Sequence, residues 1–289
     1  MTEKSDKLQN IKVAVIMPVH NEENYVRKSL SSLLEQDLKP FRIIVINDGS
    51  TDNTLTILKE FEEIEIVNLP QRKSKDMNLT LEICKVINSG LKLLKDESDC
   101  DFIMKIDADH ILPNNYLSRI TKKMLADRTI VACSGVIEGE YFVVPVHSGR
   151  VYRYDYLEKF DLEYPVKFSS EDYLLLKAQS LGYKIEIFPD IVTMVLRKTR
   201  SNYNDPAGFY NYGRGMKALG YAFPYVLLKA FAVGLKNPKN GIYMIKGFFA
   251  KNIEKFEPEF REYVKKIQYK AILRPNSEYL KRLINLVKN

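Results

Sequence analysis

Phe102-Ile103-Met104-Lys105-Ile106-Asp107-Ala108-Asp109-His110 is an apolar run that stops abruptly at two carboxylates one residue apart. A continuous apolar run bounded by polar residues suits a strand buried on both faces of a parallel sheet, with the polar residues just beyond its carboxyl end. Open α/β sheets bind ligands at that end. Ala108 is small, so a slight departure from strict alternation can turn Asp107 and Asp109 toward one hard cation. Mg²⁺ or Mn²⁺ takes one or two carboxylates and completes its shell with water and phosphate oxygens. A solvated acidic turn is the other reading of an isolated Asp-x-Asp, and two further strand ends weigh against it.

The first of these follows Lys12 to Val19, where Val13, Ala14, Val15, Ile16 and Met17 read as a strand that gives way to Pro18-Val19-His20-Asn21-Glu22-Glu23. A helix is predicted from about Glu22 to Gln36, with acidic residues in its first turn as the helix dipole prefers. The second follows Phe41 to Ile46 and reads Asn47-Asp48-Gly49-Ser50-Thr51-Asp52, where Ser50, Thr51 or Asp52 can cap a helix reaching about Phe61. Ile64 to Leu69 is a third short strand, Leu79 to Leu94 a helix, and Pro113 suits the first turn of a helix ending near Ala126. Alternating strands and helices of these lengths imply a doubly wound α/β sheet. Its rim then gathers His20, Asn21 and Glu22, then Asp48, then Asp107 and Asp109.

The second half is less regular. Thr129 to Val136, Glu140 to Val146 and Lys184 to Phe188 read as strands, while Arg150 to Phe160 mixes aromatic and basic residues. Phe168-Ser169-Ser170-Glu171-Asp172 leads into a short helix over Tyr173 to Leu181, capped by Ser169 or Ser170 and ended by Gly182. Ala218 to Leu235 is apolar apart from Lys229, and Gly241 to Ala250 apart from Lys246. Pro224 and Lys229 make a membrane crossing costly, so helices lying on the protein or in the membrane interface are expected.

The 289 residues, 45% hydrophobic, suffice for one large domain with an appendage. Cys84, Cys100 and Cys133 are odd in number and lack metal-ligand spacing, which argues against a disulfide framework or a zinc site and for a reducing compartment. Met1 to Asn10 carries no secretory signal or anchor pattern. The chain's net charge is +7, yet residues 206–289 carry +11, which leaves −4 for residues 1–205. A basic tail suits an anionic membrane, a phosphorylated substrate or a nucleic acid, but no recognised nucleic-acid module is present, so no nucleic-acid partner is expected.

No Gly-x-Gly-x-x-Gly follows the first strand and no Gly-x-x-x-x-Gly-Lys-Ser/Thr occurs, which counts against dinucleotide oxidoreductases and P-loop enzymes. The first strand ends in His20-Asn21-Glu22 and offers no aspartyl nucleophile. What remains is a metal-assisted site with several acids and nearby cations. Arg72, Lys73 and Lys75 lie where a diphosphate can be met, or in a solvated basic loop.

Met17-Pro18-Val19-His20-Asn21-Glu22-Glu23, Val45-Ile46-Asn47-Asp48-Gly49-Ser50-Thr51-Asp52-Asn53-Thr54, Asn88-Ser89-Gly90, Asp107-Ala108-Asp109 and Glu171-Asp172 stand in the order seen in family 2 glycosyltransferases of the GT-A fold. The chain resembles that family over roughly residues 11–215. The resemblance implies a GT-A catalytic domain over 1–205, with a nucleotide-sugar half at about 11–110 and an acceptor half at about 111–205, and a helical basic extension over 206–289. It also implies inverting transfer of a sugar from a nucleoside-diphosphate donor. Pro18, His20 and Glu22 would line the nucleoside pocket, and Asp48 would hydrogen-bond the base. Asp107 would lie near ribose and metal, Asp109 would bind Mn²⁺ or Mg²⁺, Asp172 would be the general base, and Glu171 would orient it or the acceptor. Many relatives place a further histidine ligand after the last strand, but His20, His110 and His147 are the only histidines here. Arg197, Arg200 and Arg214 are candidate diphosphate or acceptor contacts, or surface arginines. The basic apolar tail suggests a lipid-linked or saccharide acceptor and a cytoplasmic enzyme held on the inner face of the cell membrane. A non-catalytic sugar-nucleotide- or membrane-binding protein on the same fold is the alternative.

Overall fold

In the computed structural model, which describes residues 11–71, 79–97, 99–140, 144–197 and 206–273, strand β1 (Val13–Val19) has every residue buried. It lies between β2 (Arg42–Asp48) and β4 (Phe102–Lys105), parallel to both, and β3 (Glu65–Leu69) extends the parallel set beyond β2. Three further strands, β5 (His110–Ile111), β6 (Ile130–Ile137) and β7 (Arg150–Arg153), join β8 (Lys184–Val195) to give the order β3-β2-β1-β4-β7-β6-β8-β5. Strand β7 runs antiparallel to both β4 and β6, so the sheet is mixed. The chain steps outward from β1 to β3 and returns to the other side of β1 as β4. The topological switch therefore falls between β1 and β4, beside whose carboxyl ends such sheets bind ligands.

Helices cover the sheet with single apolar stripes. In α1 (Val26–Leu34) the buried residues Val26, Leu30 and Leu33 recur at helical spacing, and in α4 (Tyr116–Ala126) so do Tyr116, Leu117, Ile120 and Met124. Between them lie α2 (Thr54–Leu58) and α3 (Leu79–Leu91). Gly90 in α3 sits against Ile46 and Ile16, where a Cβ would come 2.7 Å from the Ile46 Cδ1. Its neighbour Asn88 is buried and holds the backbone of Tyr164 with both ends of its amide, donating to the carbonyl at 2.9 Å and accepting from the N–H at 2.7 Å.

Several boundaries differ from those read in the sequence. The helix expected from Glu22 begins at Val26, because Glu22 to Tyr25 form a turn in which the Tyr25 and Val26 amides close on the Glu22 carbonyl at 3.0 and 2.9 Å. Helix α4 begins at Tyr116, and Pro113 lies in the preceding turn, where its carbonyl accepts from Tyr116 N and from Gln36 Nε2. Among the described residues of 140–146 there is no strand. The backbone there is engaged by buried side chains: Val146 N donates to Ser134 Oγ, and Arg150 donates to the carbonyls of Pro145 and Val146. The strand predicted over Lys184 to Phe188 runs on to Val195, through register shifts against β6 and an antiparallel pairing with β5.

The chain divides into two compact units, Met1–Tyr164 with Leu181–Lys198, and Pro165–Ser180 with Thr199–Asn289. The second is helical: α5 (Tyr154–Glu158) precedes it in the chain, and its own helices are α6 (Ser170–Ser180), α7 (Pro206–Ala218), α8 (Phe223–Gly234), α9 (Pro238–Phe248) and α10 (Pro258–Leu273). The apolar stretch from Ala218 to Leu235 is thus not one helix. It breaks at Gly220, whose φ is +77°, and restarts with Pro224 in the first turn of α8. Among the described residues no helix is long and apolar enough to cross a membrane. Helix α6 meets α10 and the turn before it through Tyr173, which stacks on Phe256 with centroids 4.0 Å apart, donates to Glu257 at 2.9 Å and sits edge-on to Phe260 in α10. Helices α7 and α9 meet backbone to backbone, since a Cβ on Gly213 would strike the Met244 carbonyl and one on Gly247 the Tyr210 carbonyl.

Candidate active site

The loops after β1 and β2 are sewn together by side chains of the sequence motifs. Asn21, in the left-handed region at φ 55°, accepts from Thr51 N at 2.8 Å and donates its own N–H to Ser50 Oγ at 3.0 Å. Glu22 N donates to Thr54 Oγ1 at 2.7 Å and Glu23 N to Asp52 Oδ2 at 3.2 Å, while Asn53 N returns a bond to Glu23 at 3.0 Å. Asp52 also accepts from Thr54 N, and these bonds hold its carboxyl below its ordinary pKa against the upward push of burial. Gly49 makes the turn at φ +61°, and a Cβ there would come 2.6 Å from Gln71 Cα, so glycine is required on both counts. The His20 ring sits over this seam with Nδ1 2.7 Å from the Asp48 carbonyl oxygen. A carbonyl only accepts, so Nδ1 carries the proton. Asp48 itself is buried at the end of β2, and Pro18 is paired with Ile46 within the sheet.

Beyond β4 each carboxylate has its own cation. Lys105, the last residue of the strand and buried, donates to Asp107 Oδ1 at 2.6 Å, and His147 Nε2 lies 3.7 Å from the other oxygen. Burial alone would raise the Asp107 pKa, but Lys105 and His147 outweigh it and hold the group well below the usual carboxylate range. Asp107 N donates to Ser148 Oγ at 2.9 Å, and the same hydroxyl lies 2.6 Å from Nδ1 of His110. His110 is buried, which lowers its pKa to about 4, so it stays neutral near pH 7.

Asp109 meets Arg197. Strand β5 follows Asp109 directly and pairs antiparallel with the end of β8, His110 opposite Val195. The ladder continues one bond further, Leu196 N donating to the Asp109 carbonyl at 2.8 Å, so Arg197 is delivered beside the Asp109 side chain. Its Nε lies 2.9 Å from Asp109 Oδ2 and its Nη2 2.6 Å from Glu22 Oε1, with the guanidinium 5.2 Å above the Tyr25 ring. Glu22 is buried, which raises its pKa against the lowering effect of Arg197, and its Oε2 has no hydrogen-bond partner among the described residues.

Glu22, Asp48, Asp107, Asp109 and His20 thus come together at the carboxyl ends of β1, β2 and β4. Among the described residues no three His, Cys, Asp or Glu side chains are grouped to hold a metal ion. The acids present would suit a cation that shares its shell with a phosphate ligand, and Glu22 Oε2 is buried without a hydrogen-bond partner among the described residues. Glu171 and Asp172 lie in the first turn of α6, in the helical unit. Arg214 is in that unit too, on α7, its guanidinium 4.0 Å above the Phe168 ring and its Nε buried. Arg72, Lys73, Lys75 and Arg200 lie outside the described residues.

Residues the motifs did not single out complete the arrangement. Lys105 interrupts the apolar run two positions before Asp107, and that break in hydropathy was the one visible signal of it. Ser148 and His147 carried no such signal.

Residues 14–197 match the family model for glycosyl transferase family 2. Glycosyltransferase GlyA of Streptococcus pneumoniae serotype 4 (strain ATCC BAA-334 / TIGR4) is 28% identical over 193 residues, 62% of this chain and 25% of that protein. A poly-beta-1,6-N-acetyl-D-glucosamine synthase of Staphylococcus epidermidis is 29% identical over 115 residues, 39% of this chain and again 25% of the relative. The chain therefore spans about a quarter of the length of either. S. aureus TarS 1–349 in complex with UDP-GlcNAc superposes with a TM-score of 0.54 at 20% identity, over 72% of this chain and 66% of that one. The mannosyltransferase PcManGT from Pyrobaculum calidifontis, in complex with GDP-Man and Mn²⁺, superposes with a TM-score of 0.53 at 18% identity, over 95% of this chain and 78% of that one. The likeness to both is one of fold.

Proposed function

Because the chain belongs to glycosyl transferase family 2 and has the GT-A fold, we propose that it is an inverting hexosyltransferase, moving a sugar from a UDP- or GDP-linked donor to a lipid-linked or saccharide acceptor. The observation that carries this reading is the acid set at the switch point, with Asp107 and Asp109 beyond β4 and Glu22 beyond β1. Support for a nucleotide-sugar donor comes from the fold neighbours, which are complexes with UDP-GlcNAc and with GDP-Man and Mn²⁺.

In this reading His20, Pro18 and Glu22 bound the nucleoside pocket, and Asp48 is offered to the base. Asp109, with Asp107, would hold Mn²⁺ or Mg²⁺, which would supply Lewis-acid stabilisation of the charge growing on the leaving diphosphate. Arg72, Lys73, Arg200 and Arg214 are the further cations for that charge. Asp172 takes the proton of the acceptor hydroxyl as its oxygen bonds to the anomeric carbon, while the bond from that carbon to the phosphate oxygen breaks. Glu171 orients the base or the acceptor. A single displacement inverts the configuration.

Calorimetry with UDP-glucose, UDP-N-acetylglucosamine and GDP-mannose, each with Mn²⁺ and with chelator, tests the donor site. One donor is expected to bind with Mn²⁺ and at least ~10-fold more weakly with chelator, the loss of a bridge between carboxylate and phosphate. No binding of any donor in either condition overturns the reading; binding without turnover on any lipid or sugar acceptor favours a non-catalytic binding protein.

A contact with an anionic membrane is proposed from exposed apolar residues of the helical unit. Phe223, Leu227, Leu228 and Phe231 are exposed at helical spacing along α8 and Leu235 just after it, and Ile242, Tyr243 and Phe249 are exposed on and after α9. Lys236, Lys239, Lys246 and Lys251 are exposed in the same segment, and such lysines gain about 1 kcal/mol each near an anionic surface. The chain is expected to sediment with phosphatidylserine-containing vesicles at low salt and to lose at least ~10-fold in partitioning in the double variant F231E/L235E. Equal sedimentation of parent and variant removes the membrane reading without touching the donor site.

A further inference from the structure

Arg197 sits where cation and diphosphate would meet. Its Nε lies 2.9 Å from Asp109 Oδ2 and its Nη2 2.6 Å from Glu22 Oε1, so one guanidinium bridges two largely buried carboxylates. Both carboxylates come from sheet-anchored positions, Glu22 three residues beyond β1 and Asp109 directly before β5. The arginine is the more exposed member, with 45% of its side chain exposed against 11% for Glu22 and 14% for Asp109. A carboxylate oxygen that accepts from a guanidinium has that direction filled, and a divalent cation arriving beside the guanidinium meets like charge. Guanidinium also binds phosphate in the same forked way that it binds carboxylate, and it is more weakly hydrated than an ammonium, so it exchanges one anion for another readily.

We propose that Arg197 is a counter-ion that changes partners: without donor it neutralises Asp109 and Glu22, and with donor it moves to the diphosphate and frees Asp109 for the cation. Cation and nucleotide therefore enter together, each weak alone. Two carboxylates set against one guanidinium leave one negative charge over, and exchanging the guanidinium for a divalent cation balances the pair. Arg197 is in this sense a positioning residue, which acts by setting when Asp109 is available. The proposal rests on the nucleoside-diphosphate reading of the site.

The test is Mn²⁺ binding to the full chain without substrate, read from the electron paramagnetic resonance of free Mn²⁺, then repeated with UDP and with GDP. Arg197→Gln is expected to bind Mn²⁺ alone at least ~10-fold more tightly than the parent, since the charge-assisted bond to Asp109 no longer competes. Arg197→Lys, which keeps the charge, stays near the parent value, and adding Asp109→Asn to Arg197→Gln abolishes the gain. In the parent, the nucleotide of the true donor tightens Mn²⁺ binding, and in Arg197→Gln that enhancement shrinks. A variant Arg197→Gln that binds Mn²⁺ no more tightly than the parent, with its thermal midpoint showing it folded, overturns the proposal. So does a gain that survives Asp109→Asn. Nucleotide that binds by calorimetry yet leaves parent Mn²⁺ affinity unchanged overturns the hand-over alone, whereas no nucleotide binding at all overturns the donor reading beneath it.

Discussion

Asp109→Asn is expected to lower the rate of sugar transfer by at least ~10³-fold, because it removes the carboxylate that would tie a cation to the leaving diphosphate, a stabilisation worth several kcal/mol in the transition state. The fold should survive. Asp109 lies at a strand junction whose backbone bond to Leu196 N does not involve the side chain, and Arg197 keeps its second partner, Glu22, in the variant. Loss of the Asp109 side of that part-exposed ion pair costs about 1 kcal/mol or less. Initial rates with the donor identified by calorimetry, taken beside a thermal melt, check both halves. A folded variant within about tenfold of the parent rate would show that Asp109 does not hold the cation.

Asp172→Asn is expected to separate binding from transfer: donor affinity stays at the parent value while turnover falls by about 10² to 10⁴-fold, the usual contribution of a general base. Asp172 is half-buried in the first turn of α6. An acid there also favours the helix electrostatically, so a purely structural role predicts a drop in melting temperature and an unchanged rate. The rate and the melt therefore answer different questions. Transfer at the parent rate sinks the base assignment.

How much of this was legible in the sequence depends on the range of the interaction. Strands β1, β2 and β4 were readable because each is buried on both faces, so their apolar runs are continuous and their ends are marked by polar residues. The gathering of His20, Asp48, Asp107 and Asp109 at one edge follows from parallel strands alone. Helix starts were misplaced where tertiary bonds claim the local amides: Glu22 has a helix-like acidic neighbourhood, but its N–H goes to Thr54, 32 residues away. Strand β7, interior to the sheet between β4 and β6, was hidden by its own composition, with Arg150 and Arg153 at its ends and both guanidiniums donating to backbone carbonyls. Arg197 could be suspected only as a loose basic residue, because its two acid partners stand 88 and 175 positions away and nothing local announces them. The break in the apolar tail was signalled by Gly220 and Pro224, which periodicity counted as part of one stretch.

The braid between the two motif loops has a consequence for how an anion can be gripped. Phosphate loops in many nucleotide-binding folds hold their ligand with free backbone amides arranged as a concave nest. Here the amides of Asn21, Glu22, Glu23, Ser50, Thr51, Asn53 and Thr54 all donate to side-chain oxygens of the loops themselves. Main-chain solvation of an incoming phosphate is therefore foreclosed along this part of the rim, and the wall is stiff before any ligand arrives. An anion held at this edge would depend instead on cationic side chains, whose hold weakens as ionic strength rises, so salt would set how firmly the edge retains a charged guest.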